Sequence, residues 1–277
     1  MNFILITKDI DIANFSLKNG VNFIMCDLEH IGKKNRQINF DTVLNSHTID
    51  DVKNLSKSIE SKNFIVRINP LHNNSQKEIN EVLKYKPGYI MLPMFKSVKD
   101  LNFILNIIDN RSKLIPLIEN PTCFMKTEDY IDLKNIGFFY FGLNDINIGM
   151  GNDFLFEALA YDLLKPYFNM LKNKKLPFGF GGMATLEGGE LPGKYVFSEH
   201  IRNGSNYVIL SRAFHKNSNN IKEFRKNVDI KNEISNILKY EDLLKNNEEK
   251  LSLNNSKLKK IVKKIVNSSL VNNYKKK

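Results

Sequence analysis

The 277-residue chain is poor in several things, and each shortage excludes something. It has two cysteines, Cys26 inside an apolar run and Cys123 at the start of an expected helix, too few for a disulfide framework. Both read as reduced filler rather than nucleophiles. No apolar run reaches the roughly 18 residues needed to span a bilayer, and no opening stretch joins a basic region, an apolar region and a small-residue cleavage site. The expected location is therefore the cytoplasm, with no membrane span. Acidic residues are wholly missing from 251 to 277, where Lys257, Lys259, Lys260, Lys263, Lys264, Lys275, Lys276 and Lys277 supply eight of the eleven net positive charges. The rest of the chain is nearly neutral, so the net charge of +11 does not point to a nucleic-acid partner. Like-charge runs are usually solvated, and 251–277 is expected to be a basic, partly disordered tail.

What the chain does have is 42% hydrophobic residues, enough for a sizeable core, arranged with a regular alternation. Eight short apolar runs recur: "NFILI" at 2, "VNFIMCD" at 21, "NFIVRI" at 63, "GYIMLP" at 88, "KLIPLIE" at 113, "GFFYFGLND" at 137, "PFGFGG" at 177 and "YVILSRAF" at 207. Segments with helical periodicity follow them, among them "TIDDVKNLSKSIESK", in which Thr48 is the N-cap and Asp51 completes a capping box. "SQKEINEVLKYK", "SVKDLNFILNIID" and "NDFLFEALAYDLLKPYFNMLKNKK" are further expected helices. Strict alternation with nearly continuous apolar strands means a parallel sheet covered by helices, and eight units mean a (β/α)8 TIM barrel. The barrel is expected over 1–218. A C-terminal helical extension over 219–250 would pack on it or on a neighbouring subunit, and the basic tail follows.

The run "NFIMCDLEH" raises the question of function, because a strand fit for burial ends in Asp27, Glu29 and His30. Arg67, Pro93, Glu119 and Asp145, read as closing the four middle strands, are spaced 26 residues apart, so the units are in register. In a barrel such residues converge on one mouth, where these folds keep their chemistry. Ser211 and Arg212 close the last strand and Asn144 precedes Asp145. Glu119 and Asp145, from adjacent strands, suit a hard divalent cation. Arg67 suits a substrate carboxylate. His30, oriented by Asp27, suits a general base, whereas Glu29 points the other way and would pair with Lys33 or Lys34. Each has a plainer alternative: a strand-end carboxylate as a helix cap, Arg67 as its structural partner, His30 as a hydrogen-bonded loop residue. "GFGGM" alone is a weak motif.

"DLEH", "VRINP", "IMLPM", "PLIEN" and "FGLNDINIGMG", in this order, resemble the metal-dependent HpcH/HpaI pyruvate aldolase and citrate lyase superfamily over about residues 20–215. The resemblance implies a barrel related to phosphoenolpyruvate-binding enzymes and a divalent metal, Mg²⁺, Mn²⁺ or Co²⁺. It implies a C–C bond made or broken through a pyruvate enolate, from a 2-oxo acid and an aldehyde, and a homo-oligomer. By position it implies Glu119 and Asp145 as metal ligands, Arg67 as the pyruvate-binding arginine and His30 with Asp27 as the base pair. The backbone of Gly142 to Asp145 would line the pyruvate site.

Three residues depart from the family pattern: Asn120 where Thr is usual, Leu117 where Gln is usual, and Leu143 where a small residue or proline is usual. They leave the metal ligands intact and alter the expected substrate. Residues 178–214 are similar to a branch found with surface-polysaccharide genes. There Glu199, His200 and Arg202 either pack a helix or touch an acidic or phosphorylated sugar. Two alternatives stand beside the aldolase: a citryl-CoA-lyase-like enzyme, for which no acyl-CoA patch is evident, and a non-catalytic barrel serving as a binding or assembly module in glycan synthesis.

Overall fold

The computed structural model describes residues 1–32, 47–218 and 220–274. Eight parallel strands close into a barrel in chain order: β1 (Asn2–Ile6), β2 (Phe23–Asp27), β3 (Phe64–Arg67), β4 (Tyr89–Leu92), β5 (Lys113–Ile118), β6 (Phe139–Phe141), β7 (Phe178–Met183) and β8 (Tyr207–Leu210). The last returns to the first, with Leu210 opposite Leu5. Every strand expected from the sequence is present as the apolar heart of its run.

Strand side chains alternate between two faces, and this sorts the core into two layers. Ile4, Phe23, Met25, Ile65, Met91, Ile115, Leu117, Phe138 and Tyr140 form one buried cluster, the barrel's filling. Their sequence neighbours, such as Leu5, Ile24, Cys26, Val66, Leu114 and Phe139, belong to the larger cluster under the helices. Gly179 makes room for Tyr140 in the filling: a Cβ there would stand 2.6 Å from the Tyr140 ring. The phenol donates to Gly181 O at 2.6 Å and accepts from Ile209 N–H at 2.8 Å, across the irregular β7–β8 pairing. Continued one step beyond the apolar residues, the same alternation turns Asp27, Arg67 and Glu119 inward. An apolar filling thus carries a charged layer on top.

The helices follow their local signals. Thr48 and Asp51 form the expected capping box on the helix Ile49–Leu55. The single helix expected over 152–175 is two, Glu157–Ala160 and Lys165–Asn173. Between them Asp162 takes a left-handed φ of 55°, and Pro166, which lacks an N–H, sits in the first turn of the second helix. The expected strand "GFFYFGLND" is also shorter: β6 stops at Phe141, and Leu143–Met150 is a helix with Gly142 as its N-cap. Asp145 therefore lies in a helical first turn, not at a strand end.

Beyond the barrel, Ile221–Asn227, Ile230–Leu244 and Glu248–Tyr274 are helical. Ile230, Ile234, Ile237 and Leu244 join the core. The stretch expected to be partly disordered is helical to Tyr274, because Leu251, Asn254, Leu258 and Val262 give it a face to bury against the helix Gly193–Asn203. Lys257, Lys259, Lys260, Lys263 and Lys264 take the exposed face.

Candidate active site

The charged layer is built around Arg67. Asp27 stands opposite it in the β2–β3 register, and the guanidinium forks onto it: Nε donates to Oδ1 and Nη2 to Oδ2, both at 2.7 Å. Glu29 Oε2 is 3.4 Å from the same Nε. Burial works to lower the Arg67 pKa, but Asp27 and Glu29, with Glu119 behind them, more than offset it and hold the group charged. Three carboxylates thus act on one guanidinium whose fork is already engaged.

Two expectations fail here. Asp27 does not orient His30; both its oxygens accept from Arg67, and its main-chain N–H goes to Nδ1 of His47 at 3.0 Å. A strand-end carboxylate facing a guanidinium in register forms the bidentate pair before it can serve a residue in the following loop. His30 is exposed. Its N–H and that of Ile31 donate to Oδ1 of buried Asn69, at 2.9 and 3.0 Å. It lines a groove of about 710 Å³ with His47, Asn69 and His72; Asp27, Arg67, Glu119 and Asp145 are not among the residues described there. Glu29 does not point away either, being 3% exposed beside Arg67; Lys33 and Lys34 lie outside the described residues.

Glu119 directly follows β5 and is also 3% exposed. Its Oε1 accepts the N–H of Met94 at 2.9 Å, a residue held at φ 53°. Its Oε2 lies against Gly142, where a Cβ would come within 2.7 Å of that oxygen and 2.9 Å of Glu119 Cβ. Only glycine permits this approach. The helix Leu143–Met150 begins beside the carboxylate, its first internal bond running from Ile146 N–H to Gly142 O, so the positive end of the helix meets Glu119. Asn144 and Asp145 are half-buried in that first turn. Glu119 and Asp145 offer oxygen donors only, which fits a hard cation whose remaining positions go to water and substrate. No group of three or more His, Cys, Asp or Glu able to hold a metal occurs among the described residues.

The departures from the family pattern find structural explanations. Asn120 caps the helix Pro121–Met125, accepting from Cys123 N–H and donating to Phe95 O. Leu117 belongs to the apolar filling. Leu143 is tolerated because its neighbour is Gly181, where a Cβ would strike Leu143 at 2.6 Å.

At the end of β8, Ser211 donates its N–H to Met183 O at 2.9 Å, and Arg212 opens the short turn Arg212–His215. Following β8 of a parallel barrel, Arg212 lies at the same end as Asp27 and Arg67; burial lowers its pKa, with Asp27 opposing and Arg67 adding to that effect. Glu199, His200 and Arg202 are elsewhere. Arg202 pairs with Glu199 at 2.6 Å and with Asp162. The His200 ring stacks on Phe180 at 3.8 Å, and burial lowers its pKa to about 3. Both cysteines are buried, and burial raises both thiols, Cys123 to about 12.

Sequence reasoning missed His47, Asn69 and Met94 as supports of the site. Asn69 sits in the quoted "VRINP", where its position after the strand was the available signal. Met94 sits likewise in the quoted "IMLPM", but acts through its main-chain N–H, and His47 carries no signal, since its ring Nδ1 meets the Asp27 N–H only once the fold brings them together.

No protein-family profile and no curated protein matches the chain. Solved structures do. A HpcH/HpaI aldolase from Desulfitobacterium hafniense is 12% identical, covering 76% of this chain and 85% of its own, at a TM-score of 0.57. RipC from Yersinia pestis is 16% identical, covering 82% and 94%, at 0.55. A citrate lyase β subunit from Mycobacterium tuberculosis, complexed with oxaloacetate and magnesium, is 14% identical, covering 81% and 95%, at 0.56. At the level of the fold, the resemblance read in the sequence holds: this barrel is the one that HpcH/HpaI aldolases and citrate lyase β subunits have.

Proposed function

We propose that the chain is a metal-dependent C–C lyase of the HpcH/HpaI kind, making or breaking a bond beside a 2-oxo acid. The observation that carries this reading is the charged layer: buried Asp27, Glu29 and Glu119 act together on Arg67 at the mouth of a barrel with that fold. Glu119, buried at the end of this layer, and Asp145, half-buried in the first turn of the next helix, are hard oxygen donors of the kind a divalent cation takes. Oxaloacetate and magnesium in the citrate lyase β subunit accord with a 2-oxo acid and a divalent ion here.

Glu119 and Asp145 would hold Mg²⁺, Mn²⁺ or Co²⁺, and the bound ion would supply Lewis acidity toward the 2-oxo acid. Gly142 keeps the approach to Glu119 open, and the first-turn amides of Leu143 and Asn144 are available to a carboxylate. Arg67, fixed by Asp27, places positive charge where an enolate oxygen develops, and its Nη1 lies outside the Asp27 fork. His30, from the adjacent groove, takes the proton of the aldehyde-side hydroxyl in the cleavage direction and acts without Asp27. Ser211 and Arg212 bound the far side of the mouth.

The test is exchange of the pyruvate methyl protons in D₂O with Mn²⁺, followed by NMR. Exchange by the wild type, with loss of both exchange and calorimetric Mn²⁺ binding in Glu119→Gln, is the expected result. A wild type that exchanges nothing, or a Glu119→Gln protein that binds Mn²⁺ unchanged, overturns it.

A further inference from the structure

In the groove of about 710 Å³ beside the charged layer, the buried and half-buried polar groups are engaged with one another, with one exception. Asn69 gives Oδ1 to the N–H groups of His30 and Ile31, and its amide donates to Glu78 Oε1. Glu78 Oε2 takes the Nε2–H of His72 at 2.8 Å, and His72 Nδ1 accepts from Asn74 N–H. Glu81 is paired with Lys84. These groups are closed on themselves and offer a bound molecule little.

The exception is His47. It is 8% exposed, and its Nδ1 accepts the main-chain N–H of Asp27 at 3.0 Å, with Cys26 Sγ 3.7 Å from the same nitrogen. An imidazole nitrogen that accepts a hydrogen bond carries no proton, so the ring proton is on Nε2. Nε2 has no partner among the described residues, and with the Nδ1 edge turned to β2 it is the edge left to the groove. An unpaired donor so far withdrawn from water costs free energy until an acceptor reaches it. Burial, opposed by Asp27 and Asp51, lowers the ring's pKa to about 4, so the donor is uncharged at neutral pH.

The rest of the wall describes the molecule that would bring this acceptor. Leu28, Ile31 and Ile49 form an apolar side, while Glu78 and Glu81 set two carboxylates against the single ammonium of Lys77, which disfavours an anion. A neutral donor among apolar residues suits a neutral oxygen on an apolar body. The groove also adjoins the charged layer: Asp27, which fixes His47 through its N–H, holds Arg67 through its carboxylate.

We propose that this groove receives an uncharged aliphatic aldehyde as the second substrate, its carbonyl oxygen accepting from Nε2–H of His47. That the molecule is a substrate rests on the lyase reading; that it binds here does not. In the bond-forming direction the enolate carbon attacks the carbonyl carbon, the carbonyl π pair moves onto oxygen, and protonated His30 returns the proton it takes in cleavage. His47 stabilises the charge developing on that oxygen and keeps its own proton.

Butyramide, an unreactive carbonyl compound, and butyrate, its anionic counterpart, are titrated separately into protein carrying ¹⁵N in its histidine rings, followed by NMR. The His47 signals are those missing from His47→Asn. Expected are a neutral ring protonated on Nε2 in the protein alone, a shift of that signal with butyramide, and at least tenfold weaker binding of butyrate. His47→Asn keeps an acceptor for Asp27 N–H, lacks the ε nitrogen and should bind butyramide at least fivefold more weakly. A ring protonated on Nδ1, or a wild-type His47 signal that butyramide does not move, overturns the proposal whether or not the variant folds. So does butyrate binding as tightly as butyramide, or a His47→Asn protein that binds as the wild type does. If pyruvate exchange is absent while butyramide moves His47, the lyase reading fails and the groove site stands; if exchange is present and butyramide moves nothing, the groove proposal alone fails.

Discussion

At the scale of single residues, the site depends on one missing side chain. Gly142 has an ordinary φ of −85°, so backbone strain does not require glycine there. Its requirement comes from Glu119, which fills the space of a Cβ. In Gly142→Ala either the carboxylate swings away or β6 shifts. Overpacking of this kind costs about 1–3 kcal/mol. The expected outcome is a modest fall in unfolding midpoint together with at least tenfold weaker Mn²⁺ binding, read by calorimetry; an alanine protein with wild-type Mn²⁺ affinity would show that Glu119 is not held where the geometry puts it. The Asp27–Arg67 pair teaches the complementary lesson. The sequence offered Asp27 two partners, Arg67 and His30, and strand register chose between them.

At the scale of elements, the helices owe their placement to polar ties as much as to apolar faces. Glu199, 0% exposed on the helix Gly193–Asn203, is held by Arg202, by Asn203 and by Asn255 of the C-terminal helix at 2.9 Å. Asp162, in the break between the two middle helices, pairs with Arg202 and with Lys259 at 3.0 Å. One cluster thus fastens three segments. Removing Arg202 strands a buried carboxylate, and Arg202→Met should cost about 3–5 kcal/mol by urea unfolding, with Mn²⁺ affinity unaltered because the cluster lies off the mouth. Adding Glu199→Gln to it should recover part of the loss; no recovery would mean that the charge was not the cause.

At the scale of the whole molecule, buried neutral histidines make the fold acid-sensitive. Burial, opposed in His47 by Asp27 and Asp51, lowers its pKa to about 4, and burial lowers His200 to about 3. Unfolded, both titrate near 6.5. Below that value the unfolded chain binds protons that the folded chain refuses, so their contribution is fully present above pH 6.5. It is lost as pH falls toward 4 and then 3. At pH 5 each histidine should have withdrawn about 2 kcal/mol of stability relative to pH 7.5. Urea midpoints at the two pH values measure the sum, and His200→Leu should show a shallower loss. An equal slope in that variant would rule out His200 as a contributor.

The sequence by itself determined the barrel, because eight apolar runs of strand length at regular spacing admit few other ways to bury both faces of a parallel sheet. It also determined which residue types reach the mouth, since strand alternation carries Asp27, Arg67 and Glu119 inward whatever the neighbours are. It reached helix starts where a cap is local, as at Thr48 and Asp51. Local pattern failed where the outcome depended on contacts across the barrel. β6 ends at Phe141 and the chain turns into a helix at Gly142, where Glu119, distant in the chain, occupies the space of a Cβ. The order in the C-terminal lysine-rich stretch follows from a face on Gly193–Asn203 that no single segment reveals. Pairing was likewise a tertiary decision: Asp27 with Arg67 rather than His30, and Arg212 with no protein partner among the described residues. The physical reason is common to all of these. Charge, cavity and close approach depend on distances between strands far apart in the chain, and those distances exist only once the barrel is closed.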